Sequence, residues 1–406
     1  MMKITDIETH LVQVGSAKGA TAEAQGPASF RGSRNWLFVR VLTDEGIYGV
    51  GEGSGWPRVI ATAVQDLKHI LIGEDPAHID RLWNKMLLAS MGHGQTGTVG
   101  GGAMTAIEMA LWDIKGKTLG QPVWNLLGGR FRDRIPVYGH ARTAERAREL
   151  IERGYRAAKV SFTGAVDLDD VWAVREAMGP ERDIMVDAHG PSWMTTQDAI
   201  LIGREIEKMD PLFYEDPIAP EHWTGYRRLR DALSIPLAAG ERVSTIHHIR
   251  PLIEEELVDV IQPDTGRAGG ITQMRKMAAM AEAHGITVAP HSGSLGPVAE
   301  FAALHVMATI PNALMLERIE FDWSGRYEVV MPVLKVVDGH LPVPDAPGLG
   351  VDLVLDEIAH YPSVRNVRDI PADDGWAFEA GTAGEFPYVQ TRLRRPRKMR
   401  HRPDKG

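Results

Sequence analysis

Asp187, Glu215 and Glu241 each close a short apolar run, in "IMVDAHG" (184–190), "LFYEDP" (212–217) and "PLAAGE" (236–241). Glu215 follows Asp187 by 28 residues and Glu241 follows Glu215 by 26, one strand–helix unit each time. If the three runs are neighbouring strands, their ends lie ~5 Å apart and the carboxylates converge. In a partly dry pocket such a group repels itself. A hard divalent cation removes that difficulty, and an all-oxygen set suits Mg²⁺, with water and substrate oxygens completing it. The next three runs, "VDVIQPD", "ITVAPH" and "ALMLE", end in Asp264, His291 and Glu317. A carboxylate on one imidazole nitrogen orients the ring and raises its basicity, which makes His291 with Asp264 a general base facing the metal. Burial of Glu317 after the apolar "NALML" predicts a raised pKa and a carboxyl able to donate a hydrogen bond; a rim ion pair with Arg318 or Arg242 is the alternative. Lys159, in "AAKVS", and His189, two residues past Asp187 on the same side of an extended segment, can each serve as acid, base or electrostatic clamp. Together these groups suit removal of a proton from carbon next to a carboxylate. A cation and donors placed on the developing oxyanions would stabilise the resulting enediolate.

Such a cluster needs a scaffold that brings successive strand ends to one place. From about residue 135, short apolar runs alternate with helical stretches. The runs are "IPVYG" (135–139), "AAKVS" (157–161), "IMVDA" (184–188), "LFYE" (212–215), "PLAAGE", "VDVIQPD" (258–264), "ITVAPH" (286–291) and "ALMLE" (313–317). Eight strands with intervening helices predict an α/β fold with a parallel barrel of the TIM type, whose chemistry sits at the C-terminal strand ends. A doubly wound open sheet is the structural rival. Ahead of the barrel, the first ~130 residues read as α+β. A strand at the N-terminus precedes a hairpin over 35–54, and helices follow near 58–72, 76–90 and 102–118. Glycines 100–102 read as a helix-entry turn rather than an anion cradle. From about 326 the chain is loop-like and Pro-rich, and residues 391–406 form a basic tail.

Composition narrows the partners. The 406 residues carry a formal net charge of −9, so the whole molecule has no footprint for non-specific nucleic-acid binding. There are no cysteines, which excludes disulfides and thiolate chemistry. No run approaches ~18 uninterrupted apolar residues, and the N-terminus lacks the apolar core of a signal peptide, so a cytoplasmic protein without membrane contact is expected.

The stretches "AIEMALWDIKGKTLGQPVWNLLGG" (106–129), "VDAHG", "YEDP", "AAGE", "QPDTGRAGGIT", "APHS" and "PGLGV" (347–351) together resemble the enolase superfamily, mandelate racemase subgroup. The resemblance implies a modified (β/α)7β TIM barrel over 131–325, an N-terminal α+β capping domain over 1–130, and a C-terminal segment, 326–406, returning to the cap. It implies Mg²⁺ on Asp187, Glu215 and Glu241, a His291–Asp264 dyad, and Glu317 as the group that hydrogen-bonds the substrate carboxylate. Lys159 matches the first lysine of a Lys-x-Lys motif, but Ser161 stands at the second. The racemases use that second lysine as a base, whereas His189 in Asp-x-His is similar to acid-sugar dehydratases of the galactonate dehydratase type. The implied activity is dehydration of an acid sugar to a 2-keto-3-deoxy acid, with His291 taking the C2 proton, Lys159 supplying charge and His189 protonating the leaving hydroxide. Epimerisation, racemisation or lactone cycloisomerisation is the alternative. Cap loops at 15–35 and 53–57 would set specificity, with Arg34, Asn35, Trp56 and His93 as substrate contacts. The partner is then a small acid-sugar molecule, and a homo-oligomer is implied, octameric in the family.

Overall fold

The computed structural model describes residues 1–19, 35–90, 97–162, 168–188, 193–292, 295–319 and 323–363. The chain begins with β1 (Ile4–Gln13), β2 (Asn35–Thr43) and β3 (Tyr48–Gly53), a three-stranded antiparallel sheet in that order. Helices α1 (Pro57–Leu71), α2 (Ile79–Ala89), α3 (Gly97–Leu119) and the short α4 (Val123–Leu126) follow. Alternation fixes how β3 meets α3. Gly49, Gly51 and Gly53 face one side of the strand, against the helical backbone at Ala110, Ala106 and Gly102. A Cβ added at Gly51 would stand 1.9 Å from the Ala106 carbonyl oxygen, so only glycine lets strand and helix approach this closely.

The glycines at 100–102 lie within α3 and are not an entry turn. Their lack of side chains serves packing. A Cβ on Gly101 would meet the Arg267 carbonyl at 2.5 Å, and one on Gly102 would meet the Ser54 carbonyl at 2.7 Å.

The second layer alternates strand and helix: β4 (Arg134–His140), α5 (Ala144–Glu152), β5 (Ala157–Ser161), α6 (Asp169–Met178), β6 (Asp183–Asp187), α7 (Thr196–Ile206), β7 (Phe213–Glu215), α8 (Trp223–Ala232), β8 (Leu237–Ala239), α9 (Ile246–Glu254), β9 (Val260–Ile261), α10 (Ile271–Ala283), β10 (Thr287–Val288), α11 (Pro297–Thr309) and β11 (Leu316–Glu317). Strands β4 to β10 pair in chain order, all parallel, and β11 pairs parallel with β4. A parallel bridge between Val288 and Ala313 joins β10 to the segment entering β11. Among the described residues the ring therefore closes as eight strands with seven helices between them, and the open-sheet rival is excluded. After the barrel come β12 (Val330–Met331), β13 (His340–Pro342), β14 (Asp352–Leu353) and α12 (Leu355–Ile358). Strand β13 pairs antiparallel with the start of β4, while bridges Pro122–Gly348 and Val12–Pro362 tie the returning chain to the first layer. Among the described residues no helix is long and apolar enough to cross a membrane.

One buried cluster fills the barrel interior: Tyr138, Ala157, Met185, Phe213, Ala238 and Val260, from six successive strands, and Ala289, the residue after β10. Tyr138 meets Phe213 edge-on at 6.4 Å between ring centroids. This layer is a floor. Side chains two residues further along a strand point the same way, so His140, Lys159, Asp187, Glu215, Gln262 and His291 stand directly above it.

Candidate active site

At the barrel mouth the strand register sets Asp187 beside Glu215 and Ser161 beside Asp187. Gly240, at φ 131°, turns the chain as β8 ends, and Glu241 follows it. Lys159 is the hub. Its Nζ lies 2.8 Å from Glu215 Oε1, 2.6 Å from Glu317 Oε1 and 3.6 Å from Asp187 Oδ2, and the side chain is buried. Burial alone would depress the ammonium, but Glu215, Glu317 and Asp187 outweigh it and hold Lys159 protonated, well above its ordinary value. Gln262 Nε2 donates to Glu215 Oε2 at 3.0 Å, and Ser161 Oγ donates to Asp187 Oδ2 at 3.2 Å.

His291 Nδ1 stands 2.6 Å from Asp264 Oδ2, as the sequence predicts, and its Nε2 stands 3.0 Å from Glu241 Oε2. Burial opposes the imidazolium, yet Glu241, Glu317 and Asp264 together raise the ring well above its usual range. Arg242 reaches from the residue after Glu241, with Nη2 2.7 Å from Glu241 Oε1. It also pairs with Asp216 and lies over the Trp193 ring at 4.6 Å.

Glu317 departs from the expected raised pKa. Burial pushes it up, but the charges of Lys159, His291 and His140 overcome that and hold it well below the ordinary carboxylate value. Ser292 N also donates to Glu317 Oε2 at 2.6 Å. In this state Glu317 accepts hydrogen bonds and does not donate one, and its cationic partners are Lys159 and His291 in place of the rim arginines, while burial keeps the His140 ring below its ordinary pKa. Glu215 takes the opposite course. Burial first, then the neighbouring Asp187, Glu317 and Glu241 charges, push it up to about 8 against the pull of Lys159.

His140 is a site residue that the run "IPVYG" did not include, because β4 continues one residue further. Its Nε2 is 2.6 Å from Glu317 Oε1, and its side chain is 29% exposed. Alternation from the apolar run could have flagged it, two residues after Tyr138. Asn35 opens β2 as a buried residue, and Trp56 immediately precedes α1, two residues past Ser54. His189, Arg34, His93 and the 391–406 tail lie outside the described residues.

The donor set available to a metal is Asp187, Glu215 and Glu241. Among the described residues no three His, Cys, Asp or Glu side chains are gathered tightly enough to hold an ion as arranged. Lys159 engages Asp187 and Glu215, while His291 and Arg242 engage Glu241. The chemistry nonetheless fits a hard cation: three buried carboxylates on consecutive units, with the charges of Asp187 and Glu241 both raising Glu215.

Comparisons with known proteins converge on one family. A model described as "Enolase C-terminal domain-like" matches residues 142–358, and one described as "Mandelate racemase / muconate lactonizing enzyme, N-terminal domain" matches residues 24–128. A protein named D-galactonate dehydratase from Variovorax paradoxus (strain S110) is 37% identical over 383 residues, covering 88% of this chain and 98% of that protein. The structure of a 3,6-anhydro-D-galactonate cycloisomerase from Zobellia galactanivorans superposes with TM-score 0.78 at 32% identity, covering 88% of this chain and 99% of that one. An enolase from Pantoea ananatis with bound D-gluconate and Mg superposes with TM-score 0.78 at 28% identity, covering 89% and 95%.

Proposed function

This chain belongs to the mandelate racemase / muconate lactonizing enzyme family of the enolase superfamily, and we propose that it is a Mg²⁺-dependent dehydratase converting an acid sugar, an aldonate or aldarate, to a 2-keto-3-deoxy acid. The observation that carries the reading is the His291–Asp264 pair at 2.6 Å, set at the same barrel mouth as Lys159 and the three strand-end carboxylates. Several relatives are named D-galactonate dehydratase, which supports the substrate class. Asp187, Glu215 and Glu241 would hold the cation. When bound, it supplies positive charge that draws these carboxylates together and stabilises negative charge on the substrate carboxylate.

The chain's own residues then divide the work. Asp264 holds Nδ1, so Nε2 is the nitrogen of His291 that takes the C2 proton. Lys159 and His140, both 2.6 Å from Glu317, fix that carboxyl, and Lys159 places positive charge where the substrate carboxylate gains electron density. The C3–O bond breaks as the electron pair left at C2 forms the double bond. His189 gives its proton to the departing hydroxide, water leaves, and the enol ketonises.

¹H NMR in D₂O with Mg²⁺ and a panel of aldonates and aldarates, D-galactonate and D-gluconate among them, tests this. Dehydration shows as loss of substrate signals and growth of a 2-keto-3-deoxy product deuterated at C3. The cycloisomerase relative gives a second reading its footing. Deuterium entering C2 without loss of water, or turnover of an anhydro or lactone substrate alone, would replace the dehydratase reading with it.

A further inference from the structure

We propose that Ser54 is a positioning residue for His291, acting through Asp264, so that the base is assembled jointly by the first layer and the barrel. This rests on His291 being the base.

Asp264 is fully buried and receives donors on both carboxylate oxygens. His291 Nδ1 and Arg267 Nη2 meet Oδ2 at 2.6 and 2.8 Å. Ser54 Oγ and the Gly266 backbone N–H meet Oδ1 at 2.7 and 2.8 Å. Three of these donors come from the barrel. Ser54 comes from the end of β3, 210 positions away in the chain.

The contact is built rather than grazing. Ser54 N donates to the Gly266 carbonyl at 2.8 Å, so backbone and side chain of one residue grip the same loop. Gly266 must lack a side chain for this, since its Cβ would stand 2.7 Å from Ser54 Oγ. Gly102 on α3 likewise leaves room for the Ser54 carbonyl. Two residues earlier, Glu52 accepts from Gly296 N and from Ala299 N, the latter at 2.9 Å, at the start of the helix that follows His291. The end of β3 thus braces Asp264 with one residue and the entry to α11 with another.

A carboxylate held at both oxygens cannot rotate about its Cβ–Cγ bond without losing bonds. That fixes the direction in which Oδ2 receives Nδ1–H and therefore the aim of Nε2. Without Ser54 the Oδ1 side keeps only the Gly266 N–H. Within the 53–57 loop the Ser54 hydroxyl and N–H are committed to Asp264 and Gly266, so the loss should appear chiefly in the proton-transfer step.

Ser54→Ala should lower kcat about tenfold, the effect of one charge-assisted hydrogen bond, with KM changed less than about twofold. The kinetic isotope effect for C2-deuterated substrate should rise, and Ser54→Thr, which keeps the hydroxyl, should recover most of kcat. A readout independent of turnover is the ¹⁵N spectrum of histidine-labelled protein, in which His291→Asn identifies the His291 Nδ1 resonance. That resonance should shift in Ser54→Ala and return in Ser54→Thr. A shift in a chain inert toward every acid sugar would uphold the positioning role and sink the dehydratase reading. An unmoved resonance, or a raised KM at unchanged kcat, would overturn the positioning role while leaving the dehydratase reading intact.

Discussion

His305 offers a sharp test of how the layers are joined. It is fully buried on α11. Its Nδ1 accepts the Trp124 backbone N–H at 3.1 Å, and its Nε2 donates to the Leu349 carbonyl at 3.0 Å. One imidazole thus ties α11 to α4 and to the returning C-terminal chain, and only the neutral ring satisfies both partners. Burial lowers its pKa from 6.5 to about 4, against a smaller upward pull from the Leu349 carbonyl. The sign follows from linkage. Above pH 6.5 both folded and unfolded states leave the ring neutral, and it adds no pH dependence. As pH falls below 6.5 the unfolded chain binds a proton that the fold refuses, so stability drains away until the folded pKa is passed. At about 1.36 kcal/mol per pH unit, a fall from 6.5 to about 4 is worth about 3 kcal/mol. His305→Gln keeps a donor and an acceptor but cannot titrate. Urea unfolding of both proteins at fixed concentration, from pH 7.5 to 4.5, isolates the term, because all other titrations cancel in the difference. The stability advantage of the wild type should shrink by roughly 2–3 kcal/mol across that range. A difference that stays flat would refute the reasoning.

Gly51→Ala should destabilise by about 3 kcal/mol, because the new methyl meets the Ala106 carbonyl at 1.9 Å and backbone cannot give way; an unchanged melting temperature would contradict that packing. Chelation should stop turnover and Mg²⁺ should restore it. By mass action Mg²⁺ at 100 times its Kd should also add about 2.7 kcal/mol to stability, and a melt indifferent to Mg²⁺ would rule out a resident cation at this site. Ser161→Lys replaces a side chain two residues past Lys159 on the same strand face. Dehydration should slow about tenfold as the bond to Asp187 is lost, and exchange of the C2 proton of the epimeric substrate should appear. NMR in D₂O reads both, and absence of that exchange would show that position 161 does not reach the second face of the substrate.

The barrel was legible because its strands announce themselves twice, by apolar runs at unit spacing and, in the last six, by a carboxylate or histidine at the run's end. Spacing placed Asp187, Glu215, Glu241, Asp264, His291 and Glu317 at one mouth. The charge state of Glu317 was not legible. Burial could be read from "NALML", but its effect was reversed by the charges of Lys159 and His291, which reach Glu317 from other strands of the closed ring. Glycines 100–102 were misread for a related reason. Glycine before a helical pattern usually marks an entry, whereas here the helix continues through them because Ser54 and Arg267 press against its backbone. Ser54 itself carries no local signal, since its partner is 210 positions distant.

The charge pattern bears on which fate the proposed enediolate meets. A two-base racemase needs a proton acceptor on each face of C2. On the proposed reading one face has His291, which Asp264 holds at Nδ1. On β5, where the family resemblance leads one to expect a second lysine, Ser161 is spent on Asp187, and the remaining lysine is buried among Glu215, Glu317 and Asp187. An ammonium in that setting is held protonated and is a poor base, however well placed. It stabilises negative charge instead. On the proposed reading a cation would engage Glu241 and free His291 Nε2 to act as the base, whereas Lys159 keeps Glu317 and stays charged. Expelling a group from C3 is then the open exit. That asymmetry, and not the presence of the carboxylate cradle that both chemistries share, is what favours elimination over inversion in this barrel.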